Sequence, residues 1–199
     1  GLGFLVKQDL LTNRIIKNLI FCCTKILFRL KKPEVIVQNI EDAGFLLSRK
    51  LVDKKHLHVI RGSGVDIGCF VPCQIRENIP IVLFAGRLLW SKGVEDFVKA
   101  ARIVKVEYGA TRFVIVGMPD KGNPDSIPEK ILREWETAGH IEWWGYKSDM
   151  PNIIARAALV CLPSCYGEGV PKILLEAAAC AKAIIATDIP GCREIVLNE

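Results

Sequence analysis

The chain has 199 residues, of which 50% are hydrophobic and 25% are charged, a composition that fits one or two folded domains and excludes a disordered protein. Its net charge of +5 is unevenly divided: residues 1–76 hold 13 Lys and Arg against 6 Asp and Glu (+7), whereas residues 77–199 hold 14 against 16 (−2). An anionic partner is therefore expected at the first part of the chain, and nucleic acid is not expected because no RNA- or DNA-binding motif accompanies the charge.

The first predicted element is a helix over Thr12–Lys32, where neither Pro nor Gly interrupts the sequence. Its cations lie on one side of a helical wheel, and its apolar residues, among them Leu19 and Ile26, lie on the other. Lys25 and Arg29 break the apolar run, so the helix is too polar to cross a bilayer. We expect the apolar side to pack on a core, and the basic side leaves an anionic membrane surface open as a partner.

The sequence then predicts a strand, a helix and a second strand, at Val35–Gln38, from Ile40 with Asn39 as its cap, and at His58–Ile60. The second strand ends in Arg61–Asp66, a turn whose glycines permit backbone angles that other residues resist. Residues 69–78 have mixed polarity and are interpreted as a linker. The chain is thereby divided into domains 1–76 and 77–199.

Strand and helix patterns alternate regularly in the second domain. The strand candidates are Ile81–Ala85, Phe113–Val116, Ile141–Trp144, Leu159–Leu162 and Ala183–Ala186. Short apolar strands separated by helices predict an α/β domain with a Rossmann-like parallel sheet, covered on both faces. Ligands of such sheets bind beyond the carboxyl ends of the strands, and Gly86, Gly117, Gly145 and Ser164 all lie at such ends.

The stretch Ser164–Cys180 reads as a glycine-flanked turn and then a helix, with Pro171 suited to the first helical turn. The free N–H groups of such a helix start attract anions. Glu168 and Glu176 would repel a phosphate but would accept hydrogen bonds from hydroxyl groups. A nucleotide-sugar, in which a diphosphate joins two polyols, suits this combination.

Glu168 and Glu176, spaced Glu-x7-Glu in a Gly-Glu-Gly-Val-Pro…Leu-Leu-Glu-Ala context, resemble the donor-site motif of retaining glycosyltransferases of family 4, which have the GT-B fold. Three further stretches resemble that family and occur in its order: Gly62–Asp66, Ile81–Gly93 and Asp188–Glu194. A lone Glu-x7-Glu is weak, whereas four motifs in order are a specific signal. The resemblance implies a Rossmann-like donor domain, preceded by the last part of the N-terminal acceptor domain.

The resemblance also assigns roles to individual residues. Arg87 and Lys92 are expected to contact the donor's diphosphate, and Glu168 the hydroxyls of the transferred sugar; these three form the expected catalytic group. Glu176 is expected to accept hydrogen bonds from the ribose hydroxyls. The remaining donor-binding positions, most of them expected to contribute their backbone, are Gly167, Gly169, Val170, Tyr146, Lys147 and Gly64.

The implied reaction moves a sugar from a nucleotide-diphosphate sugar, with a UDP-sugar favoured, to an acceptor hydroxyl with retention, in surface-polysaccharide or lipopolysaccharide synthesis. A lipid-linked saccharide acceptor and a cytoplasmic location, peripheral on the inner face of the plasma membrane, accompany that reaction. We expect no cofactor and no metal, since no Asp-x-Asp occurs and Arg87, Lys92 and the helix start would meet the leaving group's charge. The alternative is a non-catalytic nucleotide-sugar-binding remnant of a split or truncated gene.

Three further features of the sequence bear on the expected fold and on how much of the family's two domains is present. Ala181 and Ala183 stand where the family usually has Gly and Pro, so the helix end there is expected to be strained or reshaped. Gly1–Phe4 resembles the middle of the family's first domain, so most of that domain and the final helix of the second are expected to be missing. The eight cysteines match no zinc spacing and are interpreted as reduced core residues.

Overall fold

The fold is described by a computed structural model for residues 11–73 and 77–197, with the side chains of residues 11–17 excepted. The chain divides into a first unit, Gly1–Ser63, and a second unit, Gly64–Glu199, so the division falls before the predicted boundary at residue 76. The expectation for Gly1–Phe4 lies outside the described residues.

The first unit contains two helices and a two-stranded parallel sheet: α1 (Leu11–Lys31), β1 (Val35–Val37), α2 (Ile40–Ser48) and β2 (Leu57–Val59). Helix α2 begins as predicted, because Asn39 Oδ1 accepts a hydrogen bond from the backbone N–H of Asp42 at 2.7 Å. A single turn of 3₁₀-helix, Lys54–His56, leads into β2.

The orientation of α1 differs from the prediction. Its apolar residues Leu19, Ile26, Leu27 and Leu30 are between 54% and 76% exposed. Phe21 of the helix is instead in contact with α2, since the rings of Phe21 and Phe45 lie 5.9 Å apart. The expectation that the apolar side packs on a core is therefore wrong for the described part of α1. None of the helices described is long and apolar enough to cross a membrane.

The second unit is built on a five-stranded parallel sheet in the order β5-β4-β3-β6-β7. Its strands are β3 (Ile81–Ala85), β4 (Arg112–Val116), β5 (Glu142–Gly145), β6 (Leu159–Leu162) and β7 (Ala183–Ala186). Its helices are α3 (Val94–Tyr108), α4 (Glu129–Thr137), α5 (Met150–Arg156), α6 (Lys172–Ala179) and α7 (Pro190–Arg193). The predicted α/β class with a Rossmann-like parallel sheet is confirmed.

Helices cover both faces of this sheet, so its central strand is apolar on both sides. In β3, Leu83 and Phe84 point to opposite faces and neither is exposed to solvent. Phe84 belongs to one core with Phe97 of α3, and Leu83 belongs to the other. Phe70 packs against that second core, so this part of the predicted linker belongs to the second unit. Strands β4 and β5 are added on one side of β3, whereas β6 and β7 are added on its other side. The switch point of the sheet therefore lies between β3 and β6.

Helix α6 ends in a left-handed residue, as the unusual alanine led us to expect. Ala181 has a φ of +52°, and the N–H of Lys182 donates to the carbonyl of Ala177 at 2.9 Å, which closes a Schellman turn. Glycine adopts this conformation without the steric penalty of a Cβ atom.

Replacing Ala181 with glycine should therefore stabilise the chain by about 0.5–1 kcal/mol, since the relief of strain outweighs the added freedom of the unfolded chain. Urea unfolding followed by circular dichroism measures the change. An Ala183→Gly variant serves as the control and should lose stability, because Ala183 lies in strand β7. A less stable Ala181→Gly variant would show that Ala181 is not strained.

All eight cysteines lie in the described part of the chain, where none of them forms a disulfide, but their burial differs from the prediction. Only Cys180 and Cys192 are buried, and Cys161 is half-buried. The other five are exposed: Cys22, Cys23, Cys69, Cys73 and Cys165. An apolar run does not place a cysteine in the core when that side of the helix is exposed, as it is in α1.

Candidate functional site

An open pocket of about 550 Å³ lies at the carboxyl ends of β3, β4 and β5. Four of the predicted site residues line it: Arg87, Tyr146, Lys147 and Glu176. They come from separate loops and from helix α6, and the parallel sheet brings them together because it aligns the ends of its strands. The pocket has a mixed lining, with the apolar side chains of Met118, Met150 and Ile173 between the charged ones.

Glu176 is the most deeply buried charged residue of this pocket, at 8% exposure. Its Oε1 atom lies 3.6 Å from Nζ of Lys172, one turn earlier in α6. Burial raises the pKa of Glu176, and the nearby Lys172 ammonium only partly opposes that rise. A carboxylate in this position can be stabilised by hydrogen bonds that it accepts from hydroxyl groups of a ligand.

Glu176→Gln should raise the stability of the chain at neutral pH. A carboxyl whose pKa is raised on folding binds its proton more tightly in the folded state. Its contribution to the free energy of unfolding is therefore present at acidic pH and is lost as the pH rises through the folded pKa. The advantage of the variant should therefore shrink as the pH falls towards 4.5, the ordinary value for Glu. Urea unfolding at a series of pH values tests this, and a pH-independent difference would contradict it.

Arg87 lies at the rim of the pocket, with its side chain 61% exposed. Its Nη1 atom donates a hydrogen bond to Asp120 Oδ2 at 3.2 Å. Asp120 is held in turn by its backbone N–H, which donates to Ser126 Oγ at 2.8 Å, and by Asn123 Nδ2, which donates to Asp120 Oδ2 at 3.2 Å. Sequence reasoning missed Asp120, and the only signal was its position shortly after Gly117, at the carboxyl end of β4.

Lys92 and Glu168 form an ion pair, with side-chain exposures of only 14% and 11%. Lys92 Nζ donates to Glu168 Oε1, and Ser164 Oγ donates to the same oxygen at 2.7 Å. The Lys92 ammonium also lies 5.5 Å from the centre of the Tyr166 ring. The cation predicted for phosphate is therefore already partly neutralised by the carboxylate predicted for sugar hydroxyls.

The loops that carry these residues meet because two glycines allow close backbone contacts. Gly93, with a φ of +73°, follows Lys92, and a Cβ atom there would lie 1.9 Å from the carbonyl oxygen of Pro163. A Cβ atom on Gly191 in α7 would lie 1.3 Å from the carbonyl oxygen of Gly169. The first contact brings the loop after β3 to the end of β6, and the second holds the Glu168 loop against α7.

The structure separates the other predicted positions from this pocket. Gly167, Gly169 and Val170 lie on the loop with Glu168, and Gly64, with a φ of +74°, lies in the turn near the start of the second unit. Among the described residues, none of these four lines the pocket, and neither Lys92 nor Glu168 does. Within the same part of the chain, no group of three or more His, Cys, Asp and Glu side chains is arranged to hold a metal ion.

Comparison with known proteins gives a consistent result. A family model described as "Glycosyl transferases group 1" matches residues 79–199. A Campylobacter jejuni protein, N,N'-diacetylbacillosaminyl-diphospho-undecaprenol alpha-1,3-N-acetylgalactosaminyltransferase, is 32% identical over 100% of this chain and 53% of its own length. The Escherichia coli UDP-Gal:alpha-D-GlcNAc-diphosphoundecaprenol alpha-1,3-galactosyltransferase is 26% identical over 83% of this chain and 45% of its own length.

Solved structures share the fold. Anabaena HepE in complex with UDP-glucose superposes with a TM-score of 0.68, at 21% identity, over 82% of this chain and 47% of HepE. A glycosyltransferase from Rickettsia africae superposes with a TM-score of 0.69, at 20% identity, over 88% of this chain and 50% of its own. The chain spans about half the length of these relatives.

Proposed function

The chain belongs to the glycosyl transferases group 1 family, and on that premise we propose that it is the donor-binding part of an enzyme that transfers a sugar from a nucleotide-diphosphate sugar to an acceptor hydroxyl. The proposed reaction retains the anomeric configuration and serves surface-polysaccharide or lipopolysaccharide synthesis. The resemblance of the Glu-x7-Glu stretch to retaining enzymes of family 4 supports the choice of retention.

The observation that carries this proposal is the pocket that joins Arg87 to Glu176. A nucleotide-sugar needs a cation for its diphosphate and a hydroxyl acceptor for its ribose, and the pocket supplies one of each on separate elements. Tyr146 and Lys147 line the same pocket, where the backbone of their loop could hold the base. We therefore place the nucleoside along Tyr146, Lys147 and Glu176, with the diphosphate directed towards Arg87.

The sugar is placed beside the Lys92–Glu168 pair, at the next strand end along the sheet. Departure of a nucleoside diphosphate develops negative charge on its leaving oxygen, and Arg87 and Lys92 are cations fixed by neighbouring carboxylates before the reaction begins. Ser164 holds the shared Glu168 oxygen and so orients the carboxylate towards sugar hydroxyls. Neither a metal nor a cofactor is part of this proposal.

The nucleotide is tested by calorimetric titration of the chain with UDP-, GDP- and ADP-glucose. We expect saturable binding with a preference for the UDP-sugar, and a UDP complex of a structurally similar protein supports that choice. A flat titration for all three donors would overturn the proposed function. A preference for GDP or ADP would contradict only the choice of base.

A lipid-linked saccharide is the proposed acceptor, since the C. jejuni and E. coli relatives are named for diphospho-undecaprenol and diphosphoundecaprenol substrates. Helix α1 supports a peripheral position on an anionic membrane, on the cytoplasmic face. Its exposed apolar residues stand beside the exposed cations Arg29 and Lys31. Apolar side chains could enter the lipid boundary while the cations meet anionic headgroups.

A double substitution, Ile26→Gln with Leu30→Gln, should weaken binding to phosphatidylglycerol vesicles by about tenfold or more, because each Gln keeps one exposed position out of the apolar boundary. Flotation of the chain with vesicles provides the measurement. Val106→Gln is the matched control, since Val106 is 88% exposed but lies in α3 of the second unit. Equal flotation of the unmodified chain, the double variant and the control would show that α1 does not contact the membrane.

A further inference from the structure

A second pocket, of about 430 Å³, lies within the first unit at the C-terminal ends of α1 and α2. Its floor is apolar and includes Leu51 and Val52, which are 5% and 9% exposed. Its charged lining is dominated by cations: Arg29, Lys32, Lys50 and Lys54 against the single carboxylate of Asp53. The proposed donor site does not include any of these residues.

The local environment neutralises only part of this charge. Each helix C-terminus is equivalent to about half a negative charge, so two helix ends and Asp53 offset about two of the four cations. Glu34 lies near the rim, where it bonds His56 at 2.8 Å and His58 at 2.7 Å. If the Glu34 carboxylate is counted as well, and both imidazoles are counted as neutral, the pocket keeps a net charge of about +1.

The cations are also available to a ligand. Across the described residues, no ion pair engages the side chains of Arg29, Lys32, Lys50 or Lys54. Lys32 and Lys50 each follow a helix and have left-handed backbones, with φ values of +44° and +52°. Lysine therefore occupies two positions where glycine would fold with less strain.

We propose that the pocket formed by Arg29, Lys32, Lys50 and Lys54 binds a phosphate-bearing anion, with a diphosphate or phosphate-ester group held among the four cations. Lysine ammonium groups are mobile point charges that can converge on phosphate oxygens, and the single guanidinium of Arg29 adds a planar fork. The apolar floor excludes water beneath the group and leaves the charges at the rim. The same chemistry is offered by a free diphosphate and by the headgroup of an anionic lipid.

The left-handed lysines provide a variant that removes charge without removing structure. A Lys32→Gly and Lys50→Gly double variant loses two cations, while glycine adopts both backbone conformations readily. Its unfolding midpoint should equal or exceed that of the unmodified chain. A Lys121→Gln and Lys130→Gln double variant loses the same charge from exposed positions of the second unit and is the matched control.

The soluble arm titrates inorganic pyrophosphate into the full chain and follows the imidazole signals by NMR. The chain has three histidines, so each signal can be assigned, and His56 lines the pocket whereas His140 belongs to the second unit. We expect a saturable shift of the His56 signal, with binding about 30-fold weaker in the Lys32→Gly and Lys50→Gly variant and unchanged in the control. Because His56 reports only on its own pocket, the result does not depend on donor binding.

The lipid arm measures flotation with phosphatidylglycerol vesicles and with phosphatidylcholine vesicles. If only the lipid arm weakens in the glycine variant, the anion is a lipid headgroup; if only the His56 shift weakens, it is a soluble phosphate compound. Both outcomes support the site. If His56 does not respond to pyrophosphate and the glycine variant floats like the control, no phosphate-bearing anion binds here and the proposal is overturned.

Discussion

Replacing Gly191 with alanine is expected to destabilise the chain by about 3 kcal/mol or more and to weaken donor binding at the same time. The new Cβ atom would lie 1.3 Å from the carbonyl oxygen of Gly169 and 2.7 Å from that of Glu168, and both neighbours are backbone atoms that cannot rotate away. Either α7 or the Glu168 loop must move. Urea unfolding measures the stability, and titration with UDP-glucose measures the binding.

Gly167→Ala is the matched control for this substitution. It lies on the same loop, but a Cβ atom there would have no neighbour within 4 Å, so its effect on unfolding should be under about 0.5 kcal/mol. If Gly191→Ala unfolds like Gly167→Ala, the contact between α7 and the loop is not tight, and the account of how Glu168 is positioned is wrong.

Lys92→Met should lower the free energy of unfolding by roughly 3 kcal/mol, because it leaves the carboxylate of Glu168 almost buried without its cation. Restoring neutrality with a second substitution, Glu168→Gln, should recover most of that stability. Ser164 can still donate to the amide oxygen of the introduced glutamine in the double variant, so the loop retains one of its contacts.

The two variants separate a structural role from a role in binding. If the pair only stabilises the fold, the double variant should bind UDP-glucose as the unmodified chain does. We expect instead that stability returns while binding stays at least about tenfold weaker, since both the phosphate cation and the sugar acceptor are gone. Recovery of both properties would contradict the proposed placement of the diphosphate and the sugar.

The fold of the second unit was predictable because its signals are local. Short apolar strands such as Ile81–Ala85, which is followed directly by Gly86, are visible in the sequence without knowledge of distant residues. The same is true of the position of Glu176, since the helical pattern around it indicates burial. The parallel sheet then aligns the strand ends, which is why Arg87 and Glu176 meet in one pocket.

The features that the sequence did not reveal depend on contacts between distant residues. Asp120 became part of the site only because the loop after β4 brings it to Arg87. The Lys92–Glu168 pair joins residues from separate loops, and the spacing within each loop does not indicate that they neutralise each other. In α1 the amphipathic pattern did not reveal that the apolar residues Leu19, Ile26, Leu27 and Leu30 are exposed, because that depends on which residues of the unit pack against the helix.

The most direct test of the central claim is calorimetric titration of UDP-glucose into the unmodified chain and into its Arg87→Ala and Glu176→Ala variants, with Lys130→Ala as the control. We predict a single site that each of the two pocket variants weakens by about 10- to 150-fold, the loss expected when a hydrogen bond to a charged group is removed, while the control binds normally. If both pocket variants remain folded and bind UDP-glucose as tightly as the unmodified chain, the donor does not occupy the pocket between Arg87 and Glu176.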